Sequence, residues 1–220
     1  MRRWWLLTLW LLASPSAPGL AADEYKAEAI GALTDTTVAE PIRSALQPQG
    51  ARLSDGKGRA VAELWLRRAV PLKAGASGPA YGSLAEGTLV GVVRYASAGS
   101  DFRGQPIKPG IYTLRYIQIP ADGNHTGAAP SSDFVALVPA GADQDLGAQP
   151  KFDDLVKGSR QASGTNHPAV LMLTPAAASG TLPAVQHQEG LWGLSLRTQV
   201  QGAKDAAFPV ALILVGKAEG

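Results

Sequence analysis

Cysteine is absent from this chain. No disulfide can form, no thiolate can act as nucleophile or metal ligand, and no lipid can be carried on a cysteine after a leader. Charge of one sign is scarce as well. The 20 Lys and Arg stand against 18 Asp and Glu, and two of the bases, Arg2 and Arg3, lie in the leader described below. From Asp23 onward the count is 18 against 18, and the longest basic run is the pair Arg67–Arg68. Nucleic acid, which is held by a basic face, is therefore not expected as a partner. Histidine is limited to His125, His167 and His187. There is no H-E-x-x-H pair, no G-x-S-x-G elbow and no Gly-rich loop ending in Lys-Ser or Lys-Thr. The commonest zinc-protease, serine-hydrolase and nucleotide-binding signatures are thus missing.

Long apolar runs are also missing. The longest is the largely apolar stretch of ten residues Trp4–Ala13, preceded by Arg2 and Arg3 and followed by "SPSAPGLAA". That order of charge, apolar run and small residues is a secretory signal peptide over residues 1–22, with cleavage after Ala21 or Ala22. The run falls short of the ~20 residues a bilayer core demands, so no stable membrane anchor is expected once it is removed. Residues 23–220 are then expected to form a single domain in the periplasm or outside the cell.

What is present is glycine, proline and short apolar alternation. "AVAELWLRRAV", Ala60–Val70, has Ala62, Leu64 and Leu66 on one face and Glu63, Trp65 and Arg67 on the other. Period-two alternation of this kind is a half-buried strand. "TLVGVVRYA", Thr88–Ala96, is apolar on both faces, as a strand covered on both sides would be. Further strands are expected at Glu24–Leu33, Ile111–Ile119, Asp133–Pro139, Ala169–Pro175, Leu191–Val200 and Phe208–Gly216. The apolar phase of the Ile111–Ile119 run shifts from Tyr112, Leu114 and Tyr116 to Ile117 and Ile119, which predicts a bulge near Tyr116–Ile117. One helix is expected from Pro150 to Gly164, with Phe152, Leu155 and Val156 on one side and Gly164 as C-terminal cap. Pro41 interrupts a second helical stretch, and Pro71–Gly87 reads as a long mobile loop. These elements predict a mainly β protein, an antiparallel β-sandwich with one short helix, a jelly roll being one topology open to it.

Candidate functional residues gather in loops. "PADGNHTG" places Asp122, Asn124 and His125 just after one expected strand, and "GTNHPAV" places His167 just before another. If those strand ends are neighbours, Asp122, His125 and His167, with Asp133 nearby, form a donor set for a divalent metal. The competing reading is a group of turn residues that satisfy backbone groups. "SDFRGQPIKPG" offers Asp101 and Arg103, either a mutual clamp or, through Arg103, a grip on a ligand carboxylate. Trp65, on the polar side of its strand, is a candidate stacking platform for a sugar ring, the structural alternative being packing beneath the Pro71–Gly87 loop. Trp192 is expected in the core.

The block "DFRGQPIKPGIYTLRYIQIPADGNHTG", with "GARLSDGKGRAVAELWLRRAVP" and "GTLVGVVRYA", resembles a group of secreted bacterial β-sandwich proteins. They carry a domain of unknown function marked by a "PAGxYSL"-like strand, matched here by Lys108–Leu114. The resemblance covers most of residues 50–216. It implies an exported bacterial β protein and supplies no catalytic residue to carry over. The function expected is a non-catalytic module binding a small molecule, a glycan or an envelope protein through Trp65, Asp101, Arg103, Asp122 and His125. The alternative is a metal-dependent enzyme centred on Asp122, His125 and His167. No organic cofactor is expected.

Overall fold

The computed structural model describes residues 25–119, 130–176, 180–188 and 190–216. In chain order these form β1 Lys26–Ile30, α1 Glu40–Ala45, β2 Gly50–Ser54, β3 Ala60–Leu66, β4 Ala69–Val70, β5 Leu89–Tyr95, β6 Gly99–Ser100, β7 Pro106–Ile107, β8 Gly110–Gln118 and β9 Asp133–Pro139. They continue with α2 Phe152–Ser163, β10 Val170–Thr174, β11 Ala184–Gln188, β12 Leu191–Val200 and β13 Ala207–Val215. The protein is mainly β, as its composition predicts.

All strands but β6 and β7, which pair with each other as a separate ribbon, follow one hydrogen-bonded path, β1-β2-β3-β5-β8-β9-β10-β13-β12-β11, with β4 added beside β12. Every pair is antiparallel except β4 with β12. The path turns a corner within β10. Val170, Leu171 and Met172 pair with β9, whereas Leu173 and Thr174 pair with β13. The sheet curls until β1 lies alongside β11. One apolar interior results, built from alternate residues such as Leu53, Leu64, Val93, Leu114, Leu137, Leu171, Leu194 and Leu212. In place of the two separate sheets expected of a sandwich, these strands make one large, mostly antiparallel sheet.

The outer face is covered in two places. α2 lies over β8, β9 and β10 and closes a second apolar cluster around Ile117, Phe134, Leu155 and Met172. Residues 33–46, including α1, cover β3 and β5 and close a third cluster around Val38, Ile42, Trp65, Leu89 and Val92. Covers on both sides explain why β5 is apolar on both faces. The phase change in β8 has the same cause. β8 pairs with β9 in unbroken register from Tyr112 to Gln118. Tyr112, Leu114 and Tyr116 face the interior while Ile117 packs under α2. The expected bulge belongs to the neighbouring strand, where β5 shifts register between Leu89 and Gly91.

The expected helix is α2, and Gly164 caps it in the left-handed conformation, φ 68°, with its N–H donating to Arg160 O. α1 is a second helix, in which Pro41 occupies the first turn, where its missing N–H has no partner to lose. The Pro71–Gly87 segment is pinned at a 3-10 turn, Tyr81–Ser83. The Tyr81 hydroxyl donates to Thr174 O at 2.8 Å and accepts from Ala211 N–H at 2.9 Å. Thr174 and Ala211 face each other across β10 and β13, so this phenol is a member of the ladder at the corner.

Candidate functional site

α2 does not seal its side of the sheet completely. Between it and the ends of β8, β9 and β10 runs a cleft of about 220 Å³. Its walls are Ile117, Ile119, Phe134, Phe152, Val156, Pro168 and Val170. The two titratable groups among its described lining residues are Arg103 and His167. The helix is drawn close to the sheet at Gly158, where a Cβ would stand 3.3 Å from Val138 Cγ1. The bulky Phe152 and Val156 lie six and two residues nearer its N-terminus and form the cleft wall.

Arg103 is positioned by its neighbours. The turn between β6 and β7 is tied by buried Asp101, whose Oδ1 accepts the N–H groups of Arg103 and Gln105, both at 2.9 Å. Its Oδ2 accepts from Gln105 Nε2 at 3.0 Å. Burial pushes the Asp101 carboxyl above its ordinary range, and those backbone N–H groups offset part of the rise. Phe102 anchors the turn from below, its ring 5.0 Å from that of Phe134. The Arg103 guanidinium lies 5.1 Å over the Phe102 ring, a cation–π arrangement that holds the exposed charge at the rim. His167 follows α2, in a loop where Ser163 Oγ donates to His167 O at 2.6 Å and His167 N–H donates to Thr165 Oγ1 at 3.1 Å.

The structure thus brings together Arg103 and His167 and assigns Asp101 to the turn between them and the sheet. Asp122, Asn124 and His125 lie outside the described residues. Asp133, the remaining carboxylate near the expected metal set, accepts from Tyr116 Oη at 2.5 Å and from Gln118 Nε2 at 3.3 Å. No three His, Asp or Glu side chains converge as metal ligands among the described residues. The fixed positive charge of Arg103 on the same rim also opposes a cation at His167.

Two expectations for tryptophan are corrected. Trp65 does lie on the face opposite Leu64 and Leu66, yet it is only 3% exposed. Residues 31–46 cover it, and its Nε1–H donates to Gly31 O at 2.8 Å. A ring sealed by protein on that face offers no platform to a sugar, and the Pro71–Gly87 loop is not what covers it. Trp192, expected in the core, is half-buried at the rim, with the His187 ring stacked on it at 3.8 Å and Tyr25 at 5.1 Å.

Two charged groups escaped the sequence reading. Arg115 is completely buried and directs all its donors into protein: two to Asp143, at 2.7 Å each, and others to the carbonyls of Gly87, Asp145 and Ala148. Glu63, on the outer face of β3, is held between Arg52 and Arg94 from the strands on either side. Burial alone would raise its carboxyl, but the two guanidinium groups outweigh that and hold it below its ordinary value.

Comparison with protein-family models, with curated proteins and with solved structures finds no match to this chain. Its reading therefore rests on the geometry of its own residues. No helix among the described residues is long and apolar enough to cross a membrane.

Proposed function

We propose that this is an exported, non-catalytic binding protein whose cleft beneath α2 takes a small amphiphilic carboxylate. The observation that carries the reading is the cleft itself: apolar walls throughout, with Arg103 and His167 set at the edge. Apolar walls favour an apolar body, at roughly 25 cal/mol per Å² removed from water. A guanidinium at the mouth favours an anionic head with planar oxygens. Placement in the periplasm or outside the cell is supported by the signal-like order of residues 1–22. The resemblance to secreted bacterial β proteins supports the same placement.

Calorimetric titration with medium-chain fatty carboxylates and the matching alcohols tests the reading. The carboxylates are expected to bind with a negative heat-capacity change and the alcohols more weakly. Arg103→Ala removes a charge-assisted hydrogen bond and is expected to weaken carboxylate binding about tenfold or more. Val156→Trp fills the cleft and is expected to abolish binding of both series. Equal affinity for acids and alcohols, or binding untouched by Val156→Trp, overturns the assignment.

A further inference from the structure

Ile117, Phe134 and Val170, in the walls of the cleft under α2, are themselves buried. The surface a ligand can reach comes from half-buried Ile119, Phe152, Val156 and Pro168, with exposed Arg103 and His167 at the edge. The two phenyl rings in these walls are therefore not equivalent. Phe134 is 1% exposed, and its ring is already packed against that of Phe102, 5.0 Å away. Phe152 is half-buried, and its ring has no aromatic neighbour among the described residues. Its place is set by backbone: it is the first residue of α2, and its N–H donates to Glu86 Oε1 at 2.9 Å.

Arg103 supplies the matching polar group. Its guanidinium lies over the Phe102 ring, and no carboxylate forms an ion pair with it among the described residues. A guanidinium held over a ring keeps its N–H edge for planar oxygens. The volume, about 220 Å³, limits what lies between these two groups. An apolar cavity of about 150 Å³ takes one benzene ring, so there is room for a ring and a short linker. An alkyl chain of the same carbon count also fits, but it must order several rotors that a ring does not have. A ring further gains an offset or edge-to-face contact with Phe152 that a chain cannot make.

We propose that the cleft takes an aryl carboxylate, its ring against Phe152 and its carboxylate on Arg103. The proposal rests on the reading of the cleft as a site for an apolar body with an anionic head, and narrows that reading to one ligand class. The test is calorimetric titration with phenylpropionate, with cyclohexylpropionate and nonanoate as acids of equal carbon count, and with phenylpropanol. Apolar area alone ranks the two saturated acids first. The ring contact is expected to reverse that order, with phenylpropionate binding about two- to tenfold more tightly than either. Phenylpropanol is expected to bind about tenfold or more below phenylpropionate. Phe152→Leu keeps apolar bulk and the backbone bond to Glu86 but removes the ring. It is expected to abolish the preference for phenylpropionate while nonanoate affinity changes little, and Phe152→Tyr is expected to retain the preference. Nonanoate that binds as tightly as phenylpropionate, or a preference unchanged in Phe152→Leu, refutes the ring assignment and leaves the wider reading standing. Loss of every acid in Phe152→Leu makes this ring a structural wall and also overturns the assignment. Absence of binding by all three acids to the wild type refutes the assignment and the wider reading together.

Discussion

Replacing Arg115 with methionine removes a guanidinium while keeping most of the apolar stem. In the native protein that group engages Asp143 through Nε and Nη2, and the carbonyls of Gly87, Asp145 and Ala148 through Nη1 and Nη2. A guanidinium has five N–H donors, and these five bonds use them all. Methionine leaves the nearly buried Asp143 carboxylate with the Thr113 hydroxyl as its remaining donor, and takes a donor from each of three carbonyls. Breaking a buried pair from one side costs about 3–5 kcal/mol. For a domain of this size that corresponds to about 6–20 °C in Tm. The loss has a place as well as a size. Asp143, Asp145 and Ala148 belong to the segment that leads into α2, whose first N–H, at Phe152, donates to Glu86 Oε1. Amide exchange should therefore accelerate first in residues 141–163, and the cleft under α2 should loosen with them. Urea unfolding followed by tryptophan emission measures the stability, and peptide-level exchange measures the location. Arg115→Met/Asp143→Leu should recover part of the loss, because the uncompensated carboxylate goes too. A cost for Arg115→Met below about 1 kcal/mol, the scale of an exposed ion pair, would refute the argument that this arginine clasps the segment.

Two carboxylates should give pH dependences of opposite sign. Glu63 is held below its ordinary value of 4.5, so the unfolded chain takes up its proton first and stability falls as pH drops through the acid range. Glu63→Gln should flatten the stability slope between about pH 5 and 3. Asp101 is raised above 3.8, so the folded chain holds the proton longer and stability falls as pH rises through that window. Asp101→Asn should remove that fall, and identical slopes in wild type and both variants would sink the assignment. Tyr81→Phe strands Ala211 N–H and Thr174 O at the sheet corner. It should cost about 1–3 kcal/mol in urea unfolding, and unchanged stability would show that the corner does not depend on the phenol. The wild-type Tyr81 hydroxyl, pushed up to about 12 chiefly by burial, stays protonated through neutral pH, so this contribution should not vary there.

Alternation made β3 legible, because Ala62, Leu64 and Leu66 all face one interior. The i, i+3, i+4 apolar spacing and Gly164 made α2 legible for the same reason: its packing partner is one continuous surface. What alternation cannot show is whether an outward face meets water. Trp65 was placed on the right side of β3, and its burial depends on residues 31–46, which carry no strand or long-helix period of their own. Arg115 sits at an outward position of β8 in a run that reads as an ordinary strand. Its burial depends on Asp143, 28 residues away, and on carbonyls that no side-chain pattern announces. Trp192 fails in the other direction. It has the inward phase with Leu194, but the register shift between Trp192 and Gly193 comes at the rim, where the strand leaves the interior.

The same contrast explains why the cleft lies under α2. Over β3 and β5 the cover is loop with one short helix, α1, and Trp65 fills the space beneath it with its one polar atom satisfied. Over β8, β9 and β10 the cover is a rigid helix, fixed at its start by Glu86 and at its end by the bonds from Lys108 N–H to Ala162 O and from Ala169 N–H to Ser159 O. A straight rod held at both ends, and drawn close at Gly158, cannot follow the twist of three strands along its whole length. The gap is lined by Phe152 and Val156 on the helix side and by Ile117 and Phe134 on the sheet side. Arg103 and His167 reach its edge from loops that the sheet and helix leave fixed. The sequence shows those two residues as polar loop positions, but the gap between them exists only because a helix and a twisted sheet have different shapes.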